Sequence, residues 1–469
     1  MTGPTPVVQG VTLWFSAAGL PELTASSPPG RAADLFMCIF ASTILPGMRT
    51  ITSKQRVQAS LNHRTPDAVP IDFGGTPVTG IHVSCVDALR KHFGLKPERV
   101  KIHEPYQMLG WLEEDLVEAM GIDTAAVRSP RTMFGFPVAD WKEWRNPQGL
   151  DVLVPGQFNT TVEPNGDILI YPQGDTSAPP SGRMPKNGFY FDSIIRQEPI
   201  DDDKLDPANN AEEFGPISDF NLAHFKCEVE RASATGRAVV ASFGGTSFGD
   251  IAMVPGPALK HPKGIRDVSE WYMSTVTRQD YIQEVFTRQM NVALGNLAKI
   301  HAAVGNAVDA VFVCGTDFGT QSSTFCSSAT FEKLYEPYYR KVNAWIHKHT
   351  TWKTFKHSCG AVAGFMPRFI ASGFDIINPV QCSAKGMDPT MLKANYGKQL
   401  TFWGGGVDTQ KVLPFGTPQE VREHVLRQCT VFAPGGGFIF NAVHNIQANT
   451  PVANIVAMLD AVREFNGKR

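Results

Sequence analysis

A chain of 469 residues, 42% hydrophobic and 19% charged, is long enough for one large domain with a full core. Its 43 basic and 45 acidic residues leave a net charge of −2, which excludes a globally basic surface for nucleic acid or anionic membranes. The eight cysteines are scattered and form no secreted disulfide framework, so a reducing, cytoplasmic setting is expected.

Residues 1–47 carry few charges and are rich in Ser, Pro, Ala and Gly. The apolar run Leu35 to Leu45 falls short of the roughly 20 residues a membrane span needs. This segment reads as a disordered N-terminal extension, and residues 48–469 as the folded domain. Along that domain, short apolar runs end in glycine or polar residues and are followed by helical patterns. They are Ala68 to Phe73, Asp123 to Arg128, Ala238 to Phe243, Ala310 to Cys314, Thr354 to Ser358, Ile376 to Gln381, Leu400 to Gly404 and Gly437 to Ala442. Eight such runs alternating with helices predict a (β/α)8 TIM barrel.

Helices are expected at Asp280 to Ala302 and Phe331 to His349, where apolar residues recur at helical spacing, and at Val452 to Phe465. Thr417-Pro418-Gln419-Glu420 is a capping box with proline at the first helical position. Residues 129–236 break the rhythm after the second strand and read as an insertion. A hairpin is expected around Pro164-Asn165-Gly166 and an irregular loop over Gly174 to Arg183. Such an insertion lies on the catalytic face, as a lid or as a structural arm or dimer contact.

Catalytic groups of this fold sit where strands end. Those positions hold Asp72, Arg128, Thr246, Asp317, His357, Cys359, Cys382, Asp408 and His444. His357-Ser358-Cys359-Gly360 closes a strand, and alternation points His357 and Cys359 the same way. Imidazole and thiolate so placed suit zinc, with Cys382 at the end of the next run as third candidate. The alternative is that both cysteines are buried fillers and His357 a satisfied polar group. Asp317 is a candidate acid/base, and His444 with Asn445 reads as hydrogen-bonding toward a substrate. No dinucleotide fingerprint or P-loop is present among the glycine clusters.

From Met48 onward the chain resembles the uroporphyrinogen decarboxylase superfamily. The resemblance rests on the stretch Ser53 to Asp67 with Val69-Pro70-Ile71-Asp72, on His357-Ser358-Cys359-Gly360, on Asn378-Pro379-Val380-Gln381 and on Phe402-Trp403-Gly404-Gly405. Two activities follow from it. Uroporphyrinogen decarboxylases of porphyrin biosynthesis are metal-free and carry an Arg-Gln-Ala-Gly-Arg signature, where this chain has Ile71-Asp72-Phe73-Gly74-Gly75-Thr76. On that reading Asp72 or Asp317 stabilises the intermediate, and Arg128, Arg131 and Arg183 offset the substrate's carboxylates.

The site motif is most similar to the cobalamin:coenzyme M methyltransferase-like branch, which uses a His-x-Cys zinc motif and a distant Cys. His357 and Cys359 match the motif, whereas Pro434-Gly435-Gly436-Gly437 stands where the distant Cys is expected. Cys382 or His444 must then substitute. The resemblance thus implies a zinc-dependent methyltransferase with His357, Cys359 and Cys382 on the metal. Asp317 and Asp72 are its catalytic candidates, and His444, Asn445, Arg128, Arg183 and Gln381 its substrate contacts. Its partners are a small-molecule substrate with a methylated corrinoid protein, or a tetrapyrrole on the alternative reading; members of the superfamily often pair as homodimers.

Overall fold

The computed structural model describes residues 51–244 and 246–467, so the predicted extension over residues 1–47 lies outside them. Seven parallel strands form one curved sheet: Thr124–Val127, Ala238–Ala241, Ala310–Cys314, Lys353–His357, Ile376–Asn378, Thr401–Trp403 and Phe438–Ile439, each beside the next. The first expected run appears only as a bridge, in which Ile71 pairs with Phe440. The Asp72 amide donates to Phe440 O and the Asp123 amide to Ile71 O, so this stave closes the ring between last strand and first. The (β/α)8 barrel expected from the sequence is the fold observed.

Alternation along these strands sorts side chains into two cores. Ala238, Val240, Ala310, Phe355, Ile376, Trp403 and Ile439 fill the barrel interior, joined from below by Val57 and Leu61 of the helix Ser53–Leu61. Val239, Ala241, Val311, Val313, Ile377 and Phe402 face the outer helices. The same period sends His357 and Asn378 inward at the upper ends of their strands, following Phe355 and Ile376. The short helix is tied in by Ser60 Oγ, which donates to Phe438 O at 2.7 Å.

Helices form close to where apolar periodicity placed them, at Gln279–Val304, Pro418–Phe432 and Val452–Phe465. The Thr417 capping box is present. The expected helix Phe331 to His349 is instead two, Ser328–Leu334 and Glu336–His349, breaking at Tyr335 just before Pro337, which has no amide to continue the ladder.

Small antiparallel sheets follow the second strand, between Thr124–Val127 and Asp219–Ala234. Thr160–Val162 and Ile168–Ile170 make the Asn-Gly hairpin, which extends through Gly182–Met184 and Asp192–Ser193 into a four-stranded antiparallel sheet. Lys142–Arg145 and Asp151–Val154 form a separate ribbon. The rings of Phe134, Phe136, Phe158 and Phe191, packed mostly edge to face, anchor the insertion. The barrel helix Asp219–Ala234 resumes before residue 236. Among the described residues no helix is long and apolar enough to cross a membrane.

Candidate active site

A cavity of about 910 Å³ opens at the upper ends of the strands and is roofed in part by the insertion through Thr132, Tyr190 and Asp192. His357, Cys359 and His444 meet at its floor, where one ligand atom from each lies within 4.8 Å of the others. Cys359 Sγ is 3.4 Å from His357 Nε2, and the His444 ring meets the His357 ring edge-on at 5.3 Å.

The loop is held in this shape from several sides. Gly360 has φ +88°, and a Cβ there would run into the Gly319 carbonyl, so the fourth residue of the motif must be glycine. The Ser358 hydroxyl accepts from the Phe318 amide at 2.9 Å, and the Cys359 amide donates to Asp317 Oδ1 at 2.7 Å. Gln381 braces the Gly360 amide through Oε1 at 2.9 Å.

Asn378 sets the tautomer of His357. Its Nδ2 donates to Trp403 O at 2.8 Å, which turns its Oδ1 to accept from His357 Nδ1–H at 2.7 Å. The Nε2 lone pair therefore faces Cys359 and Asp317, whose Oδ1 is 3.7 Å away. Burial pulls the His357 pKa down to about 3, against the Asn378 bond and with the help of the Lys356 charge, so the ring is neutral at physiological pH. His444 is likewise lowered to about 3 by burial and by His357, opposed by Asp317. Its Nδ1 accepts the Asn445 amide at 2.8 Å, which leaves the ring proton on Nε2.

Two groups that the sequence reading missed complete the electrostatics. Lys356 is fully buried, pointing outward from the strand, and donates to Thr316 O and His357 O at 2.6 Å each above the Phe318 and Tyr339 rings. Burial lowers its pKa, while Cys314, Asp317, Asp250 and Cys359 oppose that. Asp250 lines the cavity, its pKa raised to about 6 by burial and by Asp317. Asp317 itself is raised by burial, against the Cys359 amide and Lys356. Alternation gave no signal for Lys356 because it lies on the helix-facing side. Asp250 sits in a loop past Gly249, beyond the strand-end positions considered.

Cys382 is not where the sequence reading put it. The chain turns tightly after its strand, the Cys382 amide donating to Val380 O at 2.9 Å, so that Gln381 faces the cavity and Cys382 does not. Its pKa is pushed up to about 12 by burial, then by Asp388 and Asp408, and His444 occupies the third corner instead.

Arg183 is also misplaced, being half-exposed on the insertion sheet where Glu163 and Asp167 pair with it. Asp72 lies beneath the cavity, fully buried, its oxygens taken by Gly75 N, Thr124 Oγ1 and Trp403 Nε1; it ties first stave to second and seventh strands instead of facing substrate. Asn445 lines the cavity, but its amide is spent on Gly80 N, Pro77 O and Gln107 Oε1. Arg128 and Asp317 line the cavity.

The donor set fits zinc. With Zn–S about 2.3 Å and Zn–N about 2.0 Å, a tetrahedral edge between sulfur and nitrogen is about 3.5 Å; the 3.4 Å observed matches it. The carbonyl-bonded Nδ1 of His357 supplies the outer-shell partner that metal-binding histidines use. Burial, Asp317 and Asp250 all raise the Cys359 thiol far above its usual range, so its thiolate needs a cation beside it. Ligation by His444 Nε2 would require its proton to move.

The fold and its mouth thus define a TIM barrel with a His–Cys–His cluster at the floor of its cavity. Residues 264–465, which contain the whole His–Cys–His cluster, match the family model for uroporphyrinogen decarboxylase (URO-D), so the superfamily resemblance is shown for that part of the barrel. Among solved structures, a methyltransferase from Methanosarcina mazei is similar at a TM-score of 0.50 and 14% identity, over 88% of this chain and 99% of that one. At that identity the likeness is one of fold. No curated protein matches the chain.

Proposed function

We propose that the protein is a zinc-dependent methyltransferase, moving a methyl group from a corrinoid-type donor to a small thiol acceptor. The observation that carries this reading is the convergence of His357, Cys359 and His444 at the floor of a large cavity. These three would hold the metal, and zinc there would keep an acceptor thiol as its thiolate near neutral pH.

The remaining chemistry belongs to the chain. Asn378 holds the His357 lone pair toward the centre, and Asp317 fixes the Cys359 backbone. Lys356 Nζ ties the Thr316 and His357 carbonyls together, and so holds the Asp317 loop against the strand that carries His357. Asp250, poised near pH 6, can take the proton released when the thiol binds. The acceptor sulfur then attacks the methyl carbon as the bond to the donor breaks. A cavity of about 910 Å³ has room for the acceptor and for the face of a larger donor. The metal-free decarboxylase reading loses two of its residues, since Arg183 is remote and Asp72 is saturated below the floor.

Elemental analysis tests this. About one zinc per chain is expected in wild type and Cys382→Ser, with loss in Cys359→Ser and depletion in His444→Ala. A wild type that stays folded and takes up no zinc, or a Cys359→Ser variant that keeps it, refutes the assignment.

A further inference from the structure

Away from the cluster, the cavity wall carries a cation with no ion-pair partner among the described residues. Arg128 follows Thr124 and Ala126 on the inward face of the second strand, and its guanidinium lies 3.7 Å over the Trp111 ring. Its backbone is bonded as well, the amide donating to Glu228 and the carbonyl accepting from His224. Among the described residues the guanidinium makes no hydrogen bond or ion pair.

The acids nearby are committed elsewhere. Glu228 is paired with Arg231, Glu113 with Lys101 and Glu114 with Arg237. Glu104 accepts the amides of Tyr106 and Gln107, and burial raises its pKa to about 7. Burial and the like charge of Arg231 pull Arg128 down to about 10.

His103 also faces this part of the cavity, edge-on to Trp111 at 5.9 Å, with no side-chain hydrogen bond among the described residues. Burial and Arg128 lower its pKa to about 4, so it is a neutral ring near pH 7. Two half-buried polar side chains, neither with a side-chain hydrogen bond among the described residues, face one space where a ligand's polar group can pair with both.

We propose that Arg128, Trp111 and His103 form a carboxylate subsite, so that the molecule bound in this cavity carries a carboxylate on an apolar body. The indole covers one face of the guanidinium and leaves its edge donors for a planar, bidentate anion. Phe73, Tyr106 and Phe243 supply apolar wall for the rest of the molecule. Calling that molecule the methyl-transfer substrate rests on the function proposed above; the binding chemistry does not.

Isothermal titration of the full chain with benzoate, methyl benzoate and inorganic phosphate tests the subsite in wild type and Arg128→Met. Saturable 1:1 binding of benzoate is expected, weaker by about tenfold or more in the variant, as loss of a charge-assisted pair requires. Methyl benzoate should bind both proteins alike and weakly. The thermal midpoint of Arg128→Met should hold or rise, because the guanidinium supports no structural bond.

Equal benzoate affinity in both proteins, no saturable binding to wild type, tighter phosphate than benzoate, or a lowered midpoint in the variant would each overturn the assignment. Zinc content separates the two ideas. A protein that binds zinc but not benzoate loses only this subsite, and one that binds benzoate without zinc loses only the methyltransferase.

Discussion

Replacing Asn378 by Leu isolates the part of the site that aims His357. The side chain is fully buried and makes two bonds, to His357 Nδ1 and Trp403 O. Without it the imidazole can adopt either tautomer and rotate, and outer-shell losses of this kind cost about 10–100-fold in metal affinity, or about 1.4–2.8 kcal/mol. The same substitution orphans a buried donor and a buried carbonyl, at about 1–3 kcal/mol each in stability. Asn378→Asp separates these effects. Its carboxylate still accepts from Nδ1, so zinc affinity should be kept or raised, while Trp403 O still loses its donor. Competition for zinc against a chromophoric chelator near pH 7.5, with urea unfolding run in parallel, reads both quantities. A folded Asn378→Leu protein with wild-type zinc affinity would refute the argument that this amide orients the ligand.

Arg56 binds Asp67 and Asp123 at 2.7 and 2.6 Å and joins the helix Ser53–Leu61 to the barrel rim. Arg56→Met should cost about 3–5 kcal/mol in urea unfolding, because Asp123 is left buried and charged. His82 accepts the Ser84 amide on Nδ1 and donates to Phe189 O from Nε2, so only its neutral form satisfies both. Burial lowers its pKa to about 4 from an unfolded value near 6.5. The unfolded chain therefore binds the extra proton first, and stability falls as pH drops from about 6.5 to 4, by up to about 3 kcal/mol. In His82→Gln the slope of stability against pH over that range should flatten, and an unchanged slope counts against the assignment. Thr417→Ala removes a reciprocal cap and should lower stability by about 1 kcal/mol, read from the denaturation midpoint.

The barrel was legible because parallel strands buried on both faces read as short continuous apolar runs, each closed by glycine or a polar residue. Only the first, around Ile71, proved too short to be more than a bridge. His357 and Cys359 followed from strand alternation, which persists one step past the strand's end. Cys382 failed for the converse reason: a three-residue turn after Asn378 cancels alternation, and nothing in Val380-Gln381-Cys382 announces it. His444 was seen as a substrate contact, but its approach to His357 comes from ring closure, bringing the eighth strand's loop back over the fifth, a distance no local pattern encodes. Arg183 carried the right charge on an insertion whose docking could not be read from its hairpin signal.

Trp403, Val57 and Leu61 stopper the lower end of the cylinder, so traffic runs through the top alone. Any two reactants that meet at the His–Cys–His centre must share that doorway. The smaller has to enter first and the bulkier then stands in its way out. Turnover should accordingly follow a compulsory order, with the larger partner acting as a stopper on the smaller one's escape. Isotope-trapping of a prebound small acceptor would show it, and free exchange of that acceptor with the large donor in place would exclude it.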